Sequence, residues 1–457
     1  MSRRSLSLST LSAIVVGLGA TSAAHGAGFQ LLEQNASGLG NAYAGSAANP
    51  ENASIIYYNP AGMTYLPGIN VSGGVNLIKP SFKFSDNGDS RNPTALGGTR
   101  PTGGDGGDAG NLGVVPNLYG SWQLSEKWFI GLGIGAPFGL MTEYDDGWAG
   151  QYHSNKFEIK TININPSIAY KVNEKFSMGF GVNWQHIDAN YKKKTVVPVA
   201  LPGGRTVFTN GDADLNLKGD AWGWNVGFML QPTEDTRIGL SYRSKIKHTA
   251  KGDTDIDHIG PTGQSVSFDA KASVDLPDTL ILSATHQLNE KWELLGDISW
   301  TGWSSIPDLK IRNSGTGARD DDLPLNFRDT WRIAVGTTYK FAPDWKWKFG
   351  LAYDQSPVHK AEDRPTSLPD NDRYWFSTGV QWQATKSTTL DLGYTYLYLR
   401  KTDIDTTSGN ALTKGRVAGT YDSSGHIFGL QLSSRFCLAG ADDGPVPSSA
   451  RIFRRLP

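Results

Sequence analysis

One short connection recurs six times after residue 120. A strand-like run ends on Gln or Lys, a few polar residues turn the chain, and a new run follows. The copies are Gln123-Leu-Ser-Glu-Lys127-Trp128, Lys171-Val-Asn-Glu-Lys175-Phe176, Gln231-Pro-Thr-Glu-Asp-Thr236, Gln287-Leu-Asn-Glu-Lys291-Trp292, Lys340-Phe-Ala-Pro-Asp344-Trp345 and Gln383-Ala-Thr-Lys-Ser387. Their starts lie 48, 60, 56, 53 and 43 residues apart. That spacing leaves room for two strands of roughly 10–15 residues and one loop of about 20–30 between successive turns. Short turns on one side and long loops on the other describe an outer-membrane barrel. Six turns join twelve strands, and one more at each end gives an all-β, 14-stranded antiparallel transmembrane barrel, even-numbered as bacterial barrels are.

Mean hydropathy is -0.36, and beyond the N-terminus no run reaches the ~18–20 apolar residues of a spanning helix. A barrel hides its lipid face at every second residue. In Phe176, Met178, Phe180, Val182 and Trp184 the apolar positions alternate with Ser177, Gly179, Gly181, Asn183 and Gln185; Phe428, Leu430, Leu432 and Phe436 repeat the pattern in the last strand. The period is 2, and a helix would scatter both sets. Fifty-four glycines and 14 tryptophans suit tight turns and interfacial girdles. A net charge of -1 gives no electrostatic ground for a nucleic-acid partner.

Arg3, Arg4, an apolar run from Leu11 to Ala20 and the small residues of Ala24-His25-Gly26 read as a signal peptide over residues 1–26. The mature chain is then expected to begin at Ala27. Residues 27–68 carry no lasting period-2 pattern, yet Phe29, Leu31, Leu32, Ile55, Ile56, Tyr57, Tyr58 and Met63 are too apolar for a solvated leader. They are expected to form a plug, or hatch, inside a barrel of residues 69–436. Long loops are expected near 84–112, 140–157, 188–218, 246–274, 303–327, 356–372 and 400–424, where Gly, Asp, Asn, Ser and Pro cluster. After Phe436 the tail 437–457 has no strand pattern and is expected to be disordered. It puts recognition of a terminal aromatic by the barrel-insertion machinery in question. Cys437 is the single cysteine, with no disulfide or zinc partner.

Ala27-Gly-Phe-Gln-Leu31, Ser37-Gly-Leu-Gly-Asn-Ala-Tyr43-Ala-Gly45 and Asn59-Pro60-Ala61 closely resemble the FadL-type long-chain fatty acid transporters. So do Leu217-Lys-Gly-Asp-Ala-Trp-Gly-Trp-Asn225, Ser241-Tyr-Arg-Ser244, Phe327-Arg-Asp-Thr-Trp-Arg-Ile-Ala-Val-Gly336, Ala352-Tyr-Asp-Gln-Ser-Pro357 and Pro369-Asp-Asn-Asp-Arg-Tyr-Trp375. The resemblance runs from Ala27 to Phe436. It implies a 14-stranded barrel closed by a hatch containing Asn59, Pro60 and Ala61, and passive uptake of hydrophobic compounds. It further implies capture in a groove between the third and fourth outer loops, an interior pocket, and sideways exit through a kink in the third strand.

The matching third-strand segment is Gly131-Leu-Gly-Ile-Gly135-Ala-Pro137-Phe-Gly139, where Pro137 lacks a donor and Gly135 and Gly139 permit a bulge. Energetics favour a sideways exit. Each buried methylene contributes about 0.8 kcal/mol, so a sixteen-carbon tail gains roughly 12 kcal/mol in an apolar pocket and would forfeit most of it in periplasmic water. Val196, Val197, Val199 and Leu201 form an apolar run expected to line the capture groove. A cargo carboxylate needs a cation once desolvated, and Arg328, with Lys192 and Lys193 behind it, is the candidate. Phe29 and Leu31 are the expected movable stopper. No cofactor or metal is expected, and lipid, lipopolysaccharide and a hydrophobic small molecule are the expected contacts of a monomer. An aromatic-hydrocarbon channel and a general diffusion porin are the alternatives. Enzymatic motifs are missing from the sequence, although His153 and His186 near strand ends are the residues a rim-built active site would use.

Overall fold

The computed structural model describes residues 28–260, 263–315, 318 and 320–436. The signal-peptide and tail expectations lie outside these residues. Fourteen strands form the wall: β1 (Ile69–Asp86), β2 (Gly113–Gln123), β3 (Trp128–Gly135 and Gly139–Glu143), β4 (Lys156–Asn173), β5 (Phe176–Leu201), β6 (Arg205–Thr233) and β7 (Thr236–Arg243 and Ile246–Ile259). They continue as β8 (Gln264–Leu276 and Thr279–Gln287), β9 (Trp292–Thr301 and Asp308–Ser314), β10 (Asp321–Pro324 and Thr330–Ala342), β11 (Trp345–Asp354), β12 (Arg373–Gln383), β13 (Thr388–Leu399 and Thr402–Thr406) and β14 (Val417–Phe436). Neighbours pair antiparallel, and β14 returns to β1 from Ile69↔Phe436 to Asp86↔Gly419, which closes the barrel. All six short turns join strands at the positions read from the sequence.

Alternation fixes which way the wall faces. Phe428, Leu430 and Leu432 are exposed on the outside while Gln431 and Ser433 between them are buried within. Trp122, Trp128, Trp292, Trp345 and Trp382 ring the short-turn end, and Trp222, Trp224 and Trp331 mark the other. An apolar band of this extent, flanked by aromatic girdles, is a surface solvated by lipid.

Four of the expected loops are corrected; over 303–327 β9 runs to Ser314 and β10 opens at Asp321, the two pairing from Asp308↔Pro324 to Ile311↔Asp321. Over 188–218 the chain is a hairpin: β5 and β6 stay paired from Phe176↔Leu230 to Leu201↔Arg205, so only 202–204 turn. Over 246–274 β7 and β8 pair up to Gln264↔Ile259. In 400–424, β14 already begins at Val417. The physical reason is that alternation continues above the membrane with its polarity inverted. Up to Trp184 the even positions of β5 are apolar and face outward. Beyond it His186, Asp188, Asn190 and Lys192 face out, and Ile187, Ala189 and Tyr191 turn inward.

Residues 28–66 lie within the ring as turns and short helices at Leu39–Asn41, Ile55–Tyr58 and Pro60–Tyr65. Leu39, Ile56 and Met63 are fully buried there. Gly40 meets the wall so closely that a β-carbon on it would stand 2.8 Å from the α-carbon of Gly379. The segment is also pinned by charge: Lys348 of β11 places its ammonium 2.7 Å from Glu51, 3.3 Å from Asp391 and 2.9 Å from the Ser37 carbonyl oxygen.

Candidate functional site

The inverted alternation builds an apolar chamber above the plugged section. Ile159 of β4, Ile187 and Tyr191 of β5, and Leu215 and Leu217 of β6 point into it from the tall hairpin wall. The breaks within β9 and β10 and the connection after β11 close it with Ile306, Leu325, Phe327 and Leu368, and Phe29 forms its floor. Atom-free space totals about 810 Å³, of which about 80 Å³ is open to the centre of a water molecule, so the chamber is a narrow slot. Its lining is almost wholly apolar, a surface suited to a chain or ring without hydrogen-bonding groups.

Polar groups gather at its roof. Asp321 bridges two lysines, Lys193 on one oxygen and Lys414 at 3.0 Å on the other, and Lys414 also donates to the Asp322 carbonyl at 2.9 Å. Burial raises the Asp321 carboxyl, but the two ammonium groups outweigh it and hold the acid well below the usual carboxylate range. Two cations share this anion, with Lys194 and the carboxylates of Asp308, Asp320 and Asp322 lining the same space. Beside them His153 is buried, its Nδ1 3.0 Å from the Ser408 hydroxyl, and burial together with Lys414 and Lys193 pushes its pKa down to about 3. Above this roof opens a wide vestibule lined by Tyr152, Lys194, Val196, Val197, Asp320 and Asn410.

The wall is interrupted beside the slot. Pairing of β2 with β3 runs from Gln123↔Phe129 to Leu118↔Ile134 and stops, although β2 continues to Gly113. On the other flank β3 pairs with β4 at Gly135↔Asn163 and again at Gly139↔Lys160, four residues against three. One extra residue makes a bulge. Pro116 and Pro137, on the two sides of the gap, have no N–H to donate. The N-terminal segment lies across the interruption as a short antiparallel strip. Leu31 N donates to the Pro137 carbonyl at 2.8 Å, Gly139 N to the Phe29 carbonyl at 2.9 Å, and Gln34 Nε2 to the Ala136 carbonyl at 2.8 Å. The Phe29 ring sits 4.9 Å from Trp303 and 6.0 Å from Phe138, centroid to centroid.

The residues singled out from the sequence do not all meet at one place. Phe29 lines the slot and Leu31 packs just below it; Gly135, Pro137 and Gly139 form the interrupted stretch of β3. Asn59 is wholly buried and spans plug and wall, its Nδ2 donating to the Ala47 carbonyl at 2.7 Å and the Phe228 carbonyl at 2.9 Å while Oδ1 accepts from Ala61 N at 3.0 Å. Pro60 opens the helix that follows. Val196, Val197 and Lys193 border the vestibule, whereas Val199 lies farther along the hairpin and Leu201 is exposed at its tip. Lys192 faces outward onto Asp214 at 2.8 Å. Arg328 does not line the slot: its Nε donates to the Ser356 carbonyl at 3.1 Å and its Nη2 lies 3.6 Å from Asp372. Lys414, Asp321 and the inward rows of β5 and β6 went unnoticed in the sequence. The signal that finds the rows is the change of phase at residue 186.

A plugged 14-stranded barrel with an apolar slot beside a wall gap now has close relatives. The family described as "Outer membrane protein transport protein (OMPP1/FadL/TodX)" matches residues 17–436. The chain belongs to this family. This OMPP1/FadL/TodX protein is 30% identical to a long-chain fatty acid transport protein of Escherichia coli O6:H1, over 95% of this chain and 100% of the relative. It is 32% identical to outer membrane protein P1 of Haemophilus influenzae, over 91% and 97%. Among solved structures, a Pseudomonas aeruginosa FadL homologue superposes with a TM-score of 0.81 at 26% identity, covering 90% of this chain and all of that one. A Ralstonia pickettii toluene transporter shares the fold, with a TM-score of 0.63 at 19% identity over 89% and 100%. Like its family, the protein is an outer-membrane transport β-barrel.

Proposed function

We propose that the protein takes up long-chain fatty acids or similar hydrophobic compounds passively. Cargo is captured in the vestibule, bound in the slot, and released sideways between β2 and β3 when the strip at residues 28–34 withdraws. The reading rests above all on one observation, the N-terminal strip lying over the wall gap with Phe29 as the floor of the slot. Two lysines sharing Asp321 at the roof favour a carboxylate-bearing cargo over a neutral hydrocarbon, since an anion leaving water needs compensating charge. The names of the relatives point the same way for fatty acids, with toluene uptake as the second reading. Lys193 and Lys414 are better placed for the head group than Arg328. Asn59, Pro60 and Ala61 belong to the fixed part of the hatch, and the protein acts as a monomer, as a transporter and not as an enzyme, in contact with outer-membrane lipid.

Register supplies the test. Deleting Ala136 makes the interval on β3 equal to that on β4, which removes the bulge and straightens β3 so that its other edge can go on pairing with β2 past Leu118↔Ile134. Cells making the deletion variant are expected to lose uptake of labelled oleate while the purified variant still binds it. Leu217→Trp, which fills the slot, is expected to remove binding itself. Undiminished uptake by the deletion variant would refute the sideways exit.

A further inference from the structure

The wall has a second interruption, on the side away from the strip. β8 and β9 pair at Thr279↔Thr301 near the membrane and again at Ser273↔Lys310 above it. Between these points the chain runs through 274–278 on one strand and 302–309 on the other. Among the described residues, this interval is bridged by the Gly302 N–H to the Asp278 carbonyl at 3.0 Å and by the Ser305 hydroxyl to the Asp275 carbonyl at 3.1 Å. Between Asp278 and Ser273 no regular ladder holds the two edges together among the described residues. An outward hollow lies over this stretch, and Val274 and Ile306 border both that hollow and the apolar slot inside. The partition is one side chain thick.

Charge distinguishes the hollow from a packing defect. Lys271, Lys310 and Arg312 stand at its rim with Asp275 and Asp308. Lys251, Lys271 and Arg312 are in direct register on three neighbouring strands, so like charges face one another across the ladder, an arrangement that is destabilising without an anion. Arg312 reaches Asp320 at 3.5 Å and Asp322 at 2.5 Å, and Lys310 reaches Asp308 at 3.1 Å. Lys251 and Lys271 make no ion pair among the described residues. The hollow opens directly above outward-facing Leu280 and Trp300, the level at which the head group of a membrane-inserted amphiphile sits.

We infer that the slot has a second mouth, a side window between β8 and β9 that loads anionic long-chain amphiphiles from the membrane boundary, head group on Lys271, Lys310 and Arg312 and tail between Val274 and Ile306. This rests on the slot being the cargo site. The vestibule serves cargo from water, and the window serves cargo already dissolved in lipid.

The test uses the full chain in a Cys437→Ser background, with Val274→Cys and Ile306→Cys joined by a short bis-maleimide and the join verified by mass spectrometry. Loading of a fluorescent sixteen-carbon carboxylate from vesicles is followed by stopped flow. Joining is expected to slow loading at least tenfold and leave the equilibrium Kd unchanged, because a blocked door alters rates and not end states. Separately, changing Lys271, Lys310 and Arg312 together to Gln is expected to slow the carboxylate about tenfold and spare the matching alcohol. Unchanged rates in both arms would overturn the window while leaving the slot in place. Retention of binding by Leu217→Trp would instead remove the slot as the cargo site. If the join does not form, the triple Gln arm decides alone, equal rates for carboxylate and alcohol counting against the window.

Discussion

Phe29→Ala is the most direct probe of the strip that covers the β2–β3 gap. The Phe29 ring is buried against Trp303, 4.9 Å away, and Phe138, 6.0 Å away. Truncating a buried Phe costs about 3–5 kcal/mol, and the loss falls on the closed position of the strip because the wall around it is intact. With about 1.4 kcal/mol per factor of ten, the open population rises roughly a hundredfold or more. The backbone bonds from Leu31 N and Gly139 N are the ones that open. Hydrogen exchange on the detergent-solubilised protein is therefore expected to show protection at Leu31 and Gly139 falling by about two orders of magnitude, with β5 and β6 amides unchanged. Uptake should quicken at the same time. If both amides keep their wild-type protection, Phe29 is a wall residue and not a stopper, and the reasoning about the strip fails.

Lys348→Met leaves Glu51 and Asp391 buried without their cation, and stability is expected to fall by about 3–5 kcal/mol, read as a lowered unfolding midpoint. Asn59→Ala strands the Ala47 and Phe228 carbonyls, and a loss of about 1–3 kcal/mol per stranded group is expected in the same assay. His153 is held neutral in the fold with its pKa pushed to about 3, well under its ordinary value, so only the opened connection 144–155 takes up the proton readily. Its stabilising contribution is complete above about pH 6.5 and declines as pH falls towards 3, by at most about 1.4 kcal/mol per pH unit. The protection factor of the Ser154 amide, which bonds the Gly150 carbonyl, should fall between pH 7 and pH 5 once the pH dependence of intrinsic exchange is divided out, and His153→Gln should abolish that fall.

The barrel was legible because its turns are local chemistry. Gln287-Leu-Asn-Glu-Lys291 contains its own instructions: Asn289 accepts from the amides of Lys291 at 3.0 Å and Trp292 at 3.1 Å, which needs nothing distant. The slot was harder to read, because it is assembled from residues more than 200 positions apart, such as Phe29 and Leu325. Even so, part of it was written in β5, where Gln185 ends the polar inward row and Ile187 begins an apolar one. The charged residues on the outward row made 188–218 resemble a loop and masked that change. Arg328 drew attention for lying beside a strand end, but its neighbour Phe327 is the one that faces the slot, a one-residue difference that sequence period cannot resolve at a strand terminus.

The same bonding explains why one stretch of the hatch is suited to move and the rest is not. From Ser37 onward the hatch is tied through ionised or doubly satisfied groups: Lys348 to Glu51, Asp297 accepting from the Ser46 hydroxyl at 2.7 Å, and Asn59 to two carbonyls. Pulling that body out would break the Lys348–Glu51 ion pair, leaving buried Lys348 with Asp391 alone, and would take the Ser46 hydroxyl from Asp297, a loss of about 1–3 kcal/mol at each place. Residues 29–34 are held instead by neutral hydrogen bonds, each contributing about 1 kcal/mol net, and by the Phe29 side chain, with one bond to a carboxylate at the strip's end, Gly28 N to Asp370 at 2.9 Å. In the uptake route we propose, a cargo tail entering the slot meets Phe29 first and offers the aromatic neighbours an equivalent apolar contact. On that reading displacing the ring costs little once the tail replaces it, and cargo burial itself would supply the energy that releases the strip.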